Sequence, residues 1–146
     1  MKKPMKIVLA AIAYTVIAYV IHMVSSMLTM NYYTDPNYFT VWSKLMMPAA
    51  GPPPASFTYY SITFSFIVGL IFSYLYIFFK ECIPGKTMIN RGIFYGLVLF
   101  LVVGIPFFLT TYLLVNLPIG LLIYWLFIDG LITYLLGGIA IAWLNK

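Results

Sequence analysis

A chain of 146 residues that is 64% hydrophobic and only 8% charged is too apolar for a water-soluble domain and too short to hold a second one. Its net charge of +5 comes from basic residues set singly beside apolar runs, which excludes a nucleic-acid-binding face and points to phospholipid headgroups as neighbours. With Cys82 as the lone cysteine, no internal disulfide forms.

Four apolar runs follow in order: Ile7 to Met30, Ser56 to Phe79, Gly92 to Val115 and Ile119 to Leu144. Each is long enough to cross a hydrocarbon layer of about 30 Å as a helix. Lipid offers no partner to a bare peptide group, so such a run satisfies its backbone as a helix or in a closed barrel. Period-two alternation is absent, which excludes the barrel. The sequence therefore predicts an all-α polytopic membrane protein, a single antiparallel four-helix membrane domain over residues 1–146. Lys2 and Lys3 ahead of the first run resemble the start of a secretory signal, but that run is about twice the usual 7–15-residue core. It is expected to stay as an uncleaved helix.

On the first run Ala11, Thr15, Ala18, His22, Ser25 or Ser26, and Thr29 share one small and polar face, with Ile and Val on the lipid side. The loop from Asn31 to Ala55 carries Tyr32, Tyr33, Tyr38, Phe39 and Trp42 before the break Gly51-Pro52-Pro53-Pro54. Asp35 before Pro36 is a good N-cap, and Phe39, Trp42 and Met46 recur at helical spacing until Pro48. This predicts a short interfacial helix. Anchoring at the headgroup boundary fits it, as does an outer lid or docking segment made of Tyr38, Phe39, Trp42 and Met46.

The second run has Ser61, Ser65, Gly69 and Ser73 every four residues, a stripe that admits another backbone. A tight basic loop, Lys80 to Asn90, turns at Pro84 and Gly85. In the third run Gly92 and Gly96 form a Gly-xxx-Gly pair with Gly104 beyond, and Pro106 predicts a kink. Only Asn116, Leu117 and Pro118 separate the third run from the fourth, so these two are antiparallel neighbours. The fourth offers Gly130, Gly137, Gly138, Ala140 and Ala142 as further packing positions. Whether these faces serve one chain or several copies stays open, since small residues serve both.

Lys2, Lys3, Lys6, Lys80, Lys86, Arg91 and Lys146 fall on one side of four alternating helices, and Lys44 alone on the other. The excess of positive charge predicts a cell-membrane, multi-pass protein with both termini cytoplasmic.

Inside the fourth run, Asp129 lies about 15 Å from the outer end at 1.5 Å per residue, and the only histidine, His22, about 12 Å from the outer end of the first. A carboxylate at that depth must face the bundle, find a partner or stay protonated. The two are expected to meet, forming a polar intramembrane site with Ser26, Thr133 and Tyr134 as candidate hydrogen-bond partners. One reading is a proton- or cation-responsive site, because an imidazole beside a carboxylate changes charge near neutral pH. The other is a polar clasp that fixes helix register.

Met23, Met27 and Met30, with Met46 and Met47 in the loop, are soft thioether donors of the kind that select Cu(I). The Met23-xxx-Met27 and Gly92-xxx-Gly96 pairs resemble those of high-affinity copper transporters over these few residues, although the span count differs. That resemblance implies a Cu(I)-binding membrane protein; packing is the alternative, and otherwise no metal or cofactor is expected.

No His-Glu-x-x-His, Gly-x-Ser-x-Gly, Walker or dinucleotide motif is present, and the acids are only Asp35, Glu81 and Asp129. A non-enzymatic protein is expected. Haem held by His22 would need a second chain or another kind of axial ligand. Two classes of function fit: a small carrier or channel, or a structural or assembly subunit of a larger membrane complex. Either predicts a homo-oligomer or a partner membrane subunit in the bilayer, and no nucleic acid.

Overall fold

The computed structural model describes residues 2–48 and 53–146. Among these residues all regular structure is helical, dominated by four helices long and apolar enough to cross a membrane: Lys3–Leu28, Ala55–Phe79, Met88–Leu114 and Ile119–Leu144. The protein is a multi-pass integral membrane helical bundle. Its outer surface is what lipid requires: Val16, Phe64, Val102 and Leu113 stand exposed without polar company.

Local chemistry moves some boundaries from those expected. The first helix begins at Lys3, ahead of Ile7, because Pro4 suits the opening turn. It stops at Leu28, where Thr29 leaves helical geometry and its hydroxyl donates back to the Ser25 carbonyl at 2.7 Å. The third begins at Met88, four residues before Gly92, because the Thr87 hydroxyl accepts from the Asn90 N–H at 3.2 Å. Gly85 in the preceding turn has φ +141°, a backbone region that a side chain rarely enters.

The first helix packs between the second and the fourth, and the third lies on the far side of the fourth. The third and fourth make the most intimate contact. A Cβ on Gly138 would stand 2.5 Å from the Gly92 carbonyl oxygen and 2.8 Å from the Gly96 nitrogen, so the two backbones touch there. On the second helix the small-residue stripe divides. Gly69 abuts the Ala11 backbone and Ser73 is fully buried, whereas Ser61 and Ser65 line an open groove.

Neither of the two long helices after the basic loop is α-helical throughout. The third widens into a π-helix at Phe100–Gly104, just before Pro106, and the fourth at Trp125–Ile132. The Pro106 ring supplies no N–H and crowds the turn before it, and a wider turn relieves both problems. The expected disturbance at Pro106 thus takes the form of an expanded helix.

The loop also departs from expectation. Asp35 does cap, accepting from the Asn37 N–H at 2.9 Å, but the helix it opens is a 3-10 helix that ends at Val41. Trp42 is extended, and Met46 sits in a separate turn where Ser43 accepts from its N–H through both hydroxyl and carbonyl. Ser43 competes with helix continuation, so the Phe39, Trp42 and Met46 spacing does not become one helical face. Gly51 and Pro52 of the proline-rich break lie outside the described residues.

Two buried clusters result. Ala10, Tyr14, Phe72, Tyr76, Ile83, Tyr95, Leu99, Ile141 and Ala142 fill the end that carries Lys3, Lys6, Lys80 and Lys146, here termed the lysine end. Tyr33, Trp42, Phe108, Leu117, Leu121 and Leu122 fill the opposite, loop end.

Candidate functional site

The first helix carries His22 toward the fourth because Ala11, Thr15 and Ser25 on the same face are all buried against neighbours. The fourth carries Asp129 in the middle of its π-helical stretch. The two meet: His22 Nδ1 lies 2.9 Å from Asp129 Oδ2, with side chains 34% and 20% exposed. The pair is therefore half-enclosed and open on one side. π-Turns are rare and concentrate at functional sites, since they reorient a side chain that a plain α-helix would aim elsewhere.

The remaining expected members gather nearby without joining the pair. The Ser26 hydroxyl donates to the main-chain carbonyl of His22 at 2.7 Å, so it braces the helix and leaves the ring alone. Thr133 follows Asp129 by four residues and is buried, its hydroxyl without a hydrogen-bond partner. Tyr134 turns to the aromatic core, with its ring 5.9 Å from Phe72 and 6.0 Å from Phe100.

Other residues near the pair share its unmet hydrogen-bonding capacity. Ser25 Oγ, Tyr33 Oη, Trp42 Nε1 and Trp125 Nε1 are buried and, among the described residues, unpartnered like Thr133 Oγ1. Ser25 is three residues from His22, and Trp125 is four from Asp129. Trp42 stacks on Tyr33 with centroids 4.8 Å apart and reaches Trp125 at 6.1 Å, so the loop closes over the fourth helix through aromatic contacts. Burial raises the Tyr33 hydroxyl pKa above the usual phenol range, outweighing the nearby Trp125 and Thr29 side chains, which approach it without reaching hydrogen-bond geometry. Buried polar atoms without partners are few in stable proteins, and a cluster of them beside an ionisable pair suits water or a polar ligand.

Of the expected lid residues, Trp42 is buried and Met46 packs against the loop-end cluster, while Tyr38 tilts on Tyr32 with centroids 5.8 Å apart and Phe39 stays half-buried. The helix-packing residues Gly92, Gly96, Gly104 and Gly137 are all at close contacts: the first two with the fourth-helix backbone, Gly104 with the rings of Phe100 and Tyr134, and Gly137 with the Tyr14 ring. Met23, Met27 and Met30 are 41%, 66% and 51% exposed, on the side away from the bundle. The His22 ring, by contrast, is engaged with Asp129.

From the pair toward the lysine end, aromatic rings pack together. Tyr14 stands edge-on to Phe72 at 5.6 Å, and the Tyr134 ring lies 5.9 Å from Phe72 as well. Sequence reasoning passed over Tyr14, Tyr33 and Trp125 as site residues. Tyr14 lies eight residues before His22 on the same helical face, and Trp125 four before Asp129, which is the only signal either gives. A groove of about 380 Å³ opens sideways between the first, second and fourth helices, with Tyr14, Ser61, Ser65 and Tyr134 among its walls and Leu45 from the loop at its rim. No family pattern, characterised protein or solved structure matches this chain.

Proposed function

We propose that this chain is a small carrier or channel-like protein of the cell membrane whose working part is the His22–Asp129 pair, a proton- or cation-responsive site near the loop end. The observation that carries the reading is the 2.9 Å contact between two partly exposed ionisable groups, one of them set in a π-helical segment. A purely structural clasp is better sealed, because an imidazole and a carboxylate left open in a membrane are costly and tend to mark a path for ions or protons. The packing of Tyr14, Phe72 and Tyr134 toward the lysine end supports approach to the pair from the loop end. The lysine-rich end is cytoplasmic, since basic residues are retained on that side. The protein is not an enzyme on this reading: the pair has the chemistry to hold and release a proton, and the Ser26 hydroxyl beside it is engaged with the His22 main-chain carbonyl rather than with the ring.

Vesicles loaded with a pH-sensitive dye and given a sodium or potassium gradient test this directly. The protein is expected to move protons or the cation above the rate of empty vesicles, with Asp129→Asn slowing it about tenfold or more. A water-soluble carbodiimide is expected to label Asp129 in intact vesicles from the loop side. Equal flux in the parent chain and a His22→Gln, Asp129→Asn double variant, both still folded, overturns the reading.

One observation favours a second function. Ser61 and Ser65 line an open groove, as half of a packing stripe does when its partner is another chain. On that reading the protein is an assembly subunit, or a homo-oligomer, that docks a helix there. Mass measurement in native lipid separates the two: a stoichiometric foreign membrane subunit supports the second.

A further inference from the structure

At the lysine end, a cavity of about 310 Å³ opens between the start of the first helix and the ends of the second and fourth, lined by Lys3, Lys6, Ile77, Lys80, Asn145 and Lys146. Four of those six residues carry an ammonium group and none is acidic. Like charges around one hollow repel, and among the described residues Glu81 is the one carboxylate side chain within ion-pair reach of these lysines. Lys80 approaches Glu81 only at 4.0 Å, with the carboxylate side chain 85% exposed, a contact weakened by solvent. Lys6 donates to the Lys146 main-chain oxygen at 2.7 Å, which fastens two walls of the hollow together.

Asn145 adds an independent feature. It is 3% exposed, and its amide nitrogen donates to Ser73 Oγ and to the Ile141 carbonyl, both at 2.9 Å. Those two bonds fix the amide plane and leave Oδ1 buried with no partner. The hollow thus offers positive charge on its walls and one fixed acceptor beside them. An unpaired buried acceptor costs about 1–3 kcal/mol, so a donor is wanted there.

We propose that this hollow binds the headgroup of an anionic phospholipid, a phosphodiester held by Lys3, Lys80 and Lys146 with a headgroup hydroxyl donating to Asn145 Oδ1. The hollow sits at the ends of the spans, where headgroups lie, and basic pockets between helices at that level suit lipid phosphates. Phe78, Phe79 and Trp143 stand exposed beside it and give acyl chains an apolar surface that free phosphate has no use for. A phosphodiester with hydroxyls fits better than a bare phosphate monoester, because only the former brings a donor on a short carbon arm to the acceptor.

The test is lipid retention by the intact protein, purified from mixtures of phosphatidylglycerol, phosphatidic acid and phosphatidylcholine and weighed with its bound lipid. Phosphatidylglycerol is expected to stay bound about tenfold more than phosphatidylcholine, and more than phosphatidic acid. A Lys3→Gln, Lys80→Gln double variant is expected to lose the preference over phosphatidylcholine while keeping its helical circular dichroism and unfolding temperature. Lys44→Gln, at the other end, should leave the preference intact. Equal retention of phosphatidylglycerol and phosphatidylcholine by the parent chain overturns the proposal, as does a double variant with undiminished preference. Displacement of the lipid by millimolar inorganic phosphate also overturns it and assigns the hollow to a soluble phosphate.

Discussion

The two ends of the bundle are built on different terms. At the lysine end helices meet backbone to backbone through Gly92, Gly96 and Gly138, and most buried polar groups find partners: the Tyr95 hydroxyl donates to the Phe72 carbonyl at 2.7 Å and the Asn145 amide nitrogen to Ser73 at 2.9 Å, which leaves only Asn145 Oδ1 unmet among the described residues there. At the loop end a helix runs in wide turns, an ionisable pair stands partly open, and buried donors on Tyr33, Trp42 and Trp125 go unpaired. Lipid gives helices no hydrophobic reason to associate, so close packing and satisfied polar contacts must hold the bundle. The contrast teaches that cohesion is concentrated at one end and leaves the other free to carry groups that destabilise.

The sharpest way to break that contrast is to wedge the tight end apart. Gly138→Val places a methyl-bearing carbon against the Gly92 oxygen and the Gly96 nitrogen, backbone atoms with nowhere to go. The expected loss is about 3 kcal/mol, read from thermal or detergent-driven unfolding. A loss as small as that of a surface change means the cohesion lies elsewhere.

At the loop end, Trp42→Leu removes the ring stacked on Tyr33 and is expected to cost about 2 kcal/mol, less than truncating a fully packed core Trp to Ala. Its signature is local: faster amide exchange over residues 30–47 with exchange over 92–99 unchanged. Equal acceleration at both ends shows one cooperative unit and removes the distinction.

Tyr95→Phe deletes one hydrogen bond between the second and third helices at 2.7 Å and keeps the ring. It should lower stability by about 1 kcal/mol. Met27→Leu sharpens the comparison from outside the bundle: with the thioether 66% exposed toward lipid, unfolding should shift by less than about 0.5 kcal/mol, and bound copper, by metal analysis, should match the parent chain.

The spans were legible in the sequence because hydropathy alone decides what a bilayer accepts, and the fourth helix runs from Ile119 to Leu144 as expected. Starts were less so: Asn90 and Arg91 read as the end of a basic loop, and the Thr87 cap starts the helix ahead of them at Met88. The meeting of His22 with Asp129 followed from matched depth and a shared polar face. Their surroundings did not, because nothing in the residue pattern marks a π-turn at Trp125–Ile132, and no periodicity brings Tyr33 and Trp42 from a loop onto Trp125. Asn145, past the end of an apolar run, reads as a solvated tail, yet tertiary contact with Ser73 buries it.

A π-turn is an α-helix holding one residue too many. The segment around Asp129 thus has the form that a single-codon insertion leaves behind, and a single-codon deletion within it would restore the ordinary winding. That change turns everything beyond it by about 100° and carries the carboxylate off the imidazole without altering either residue.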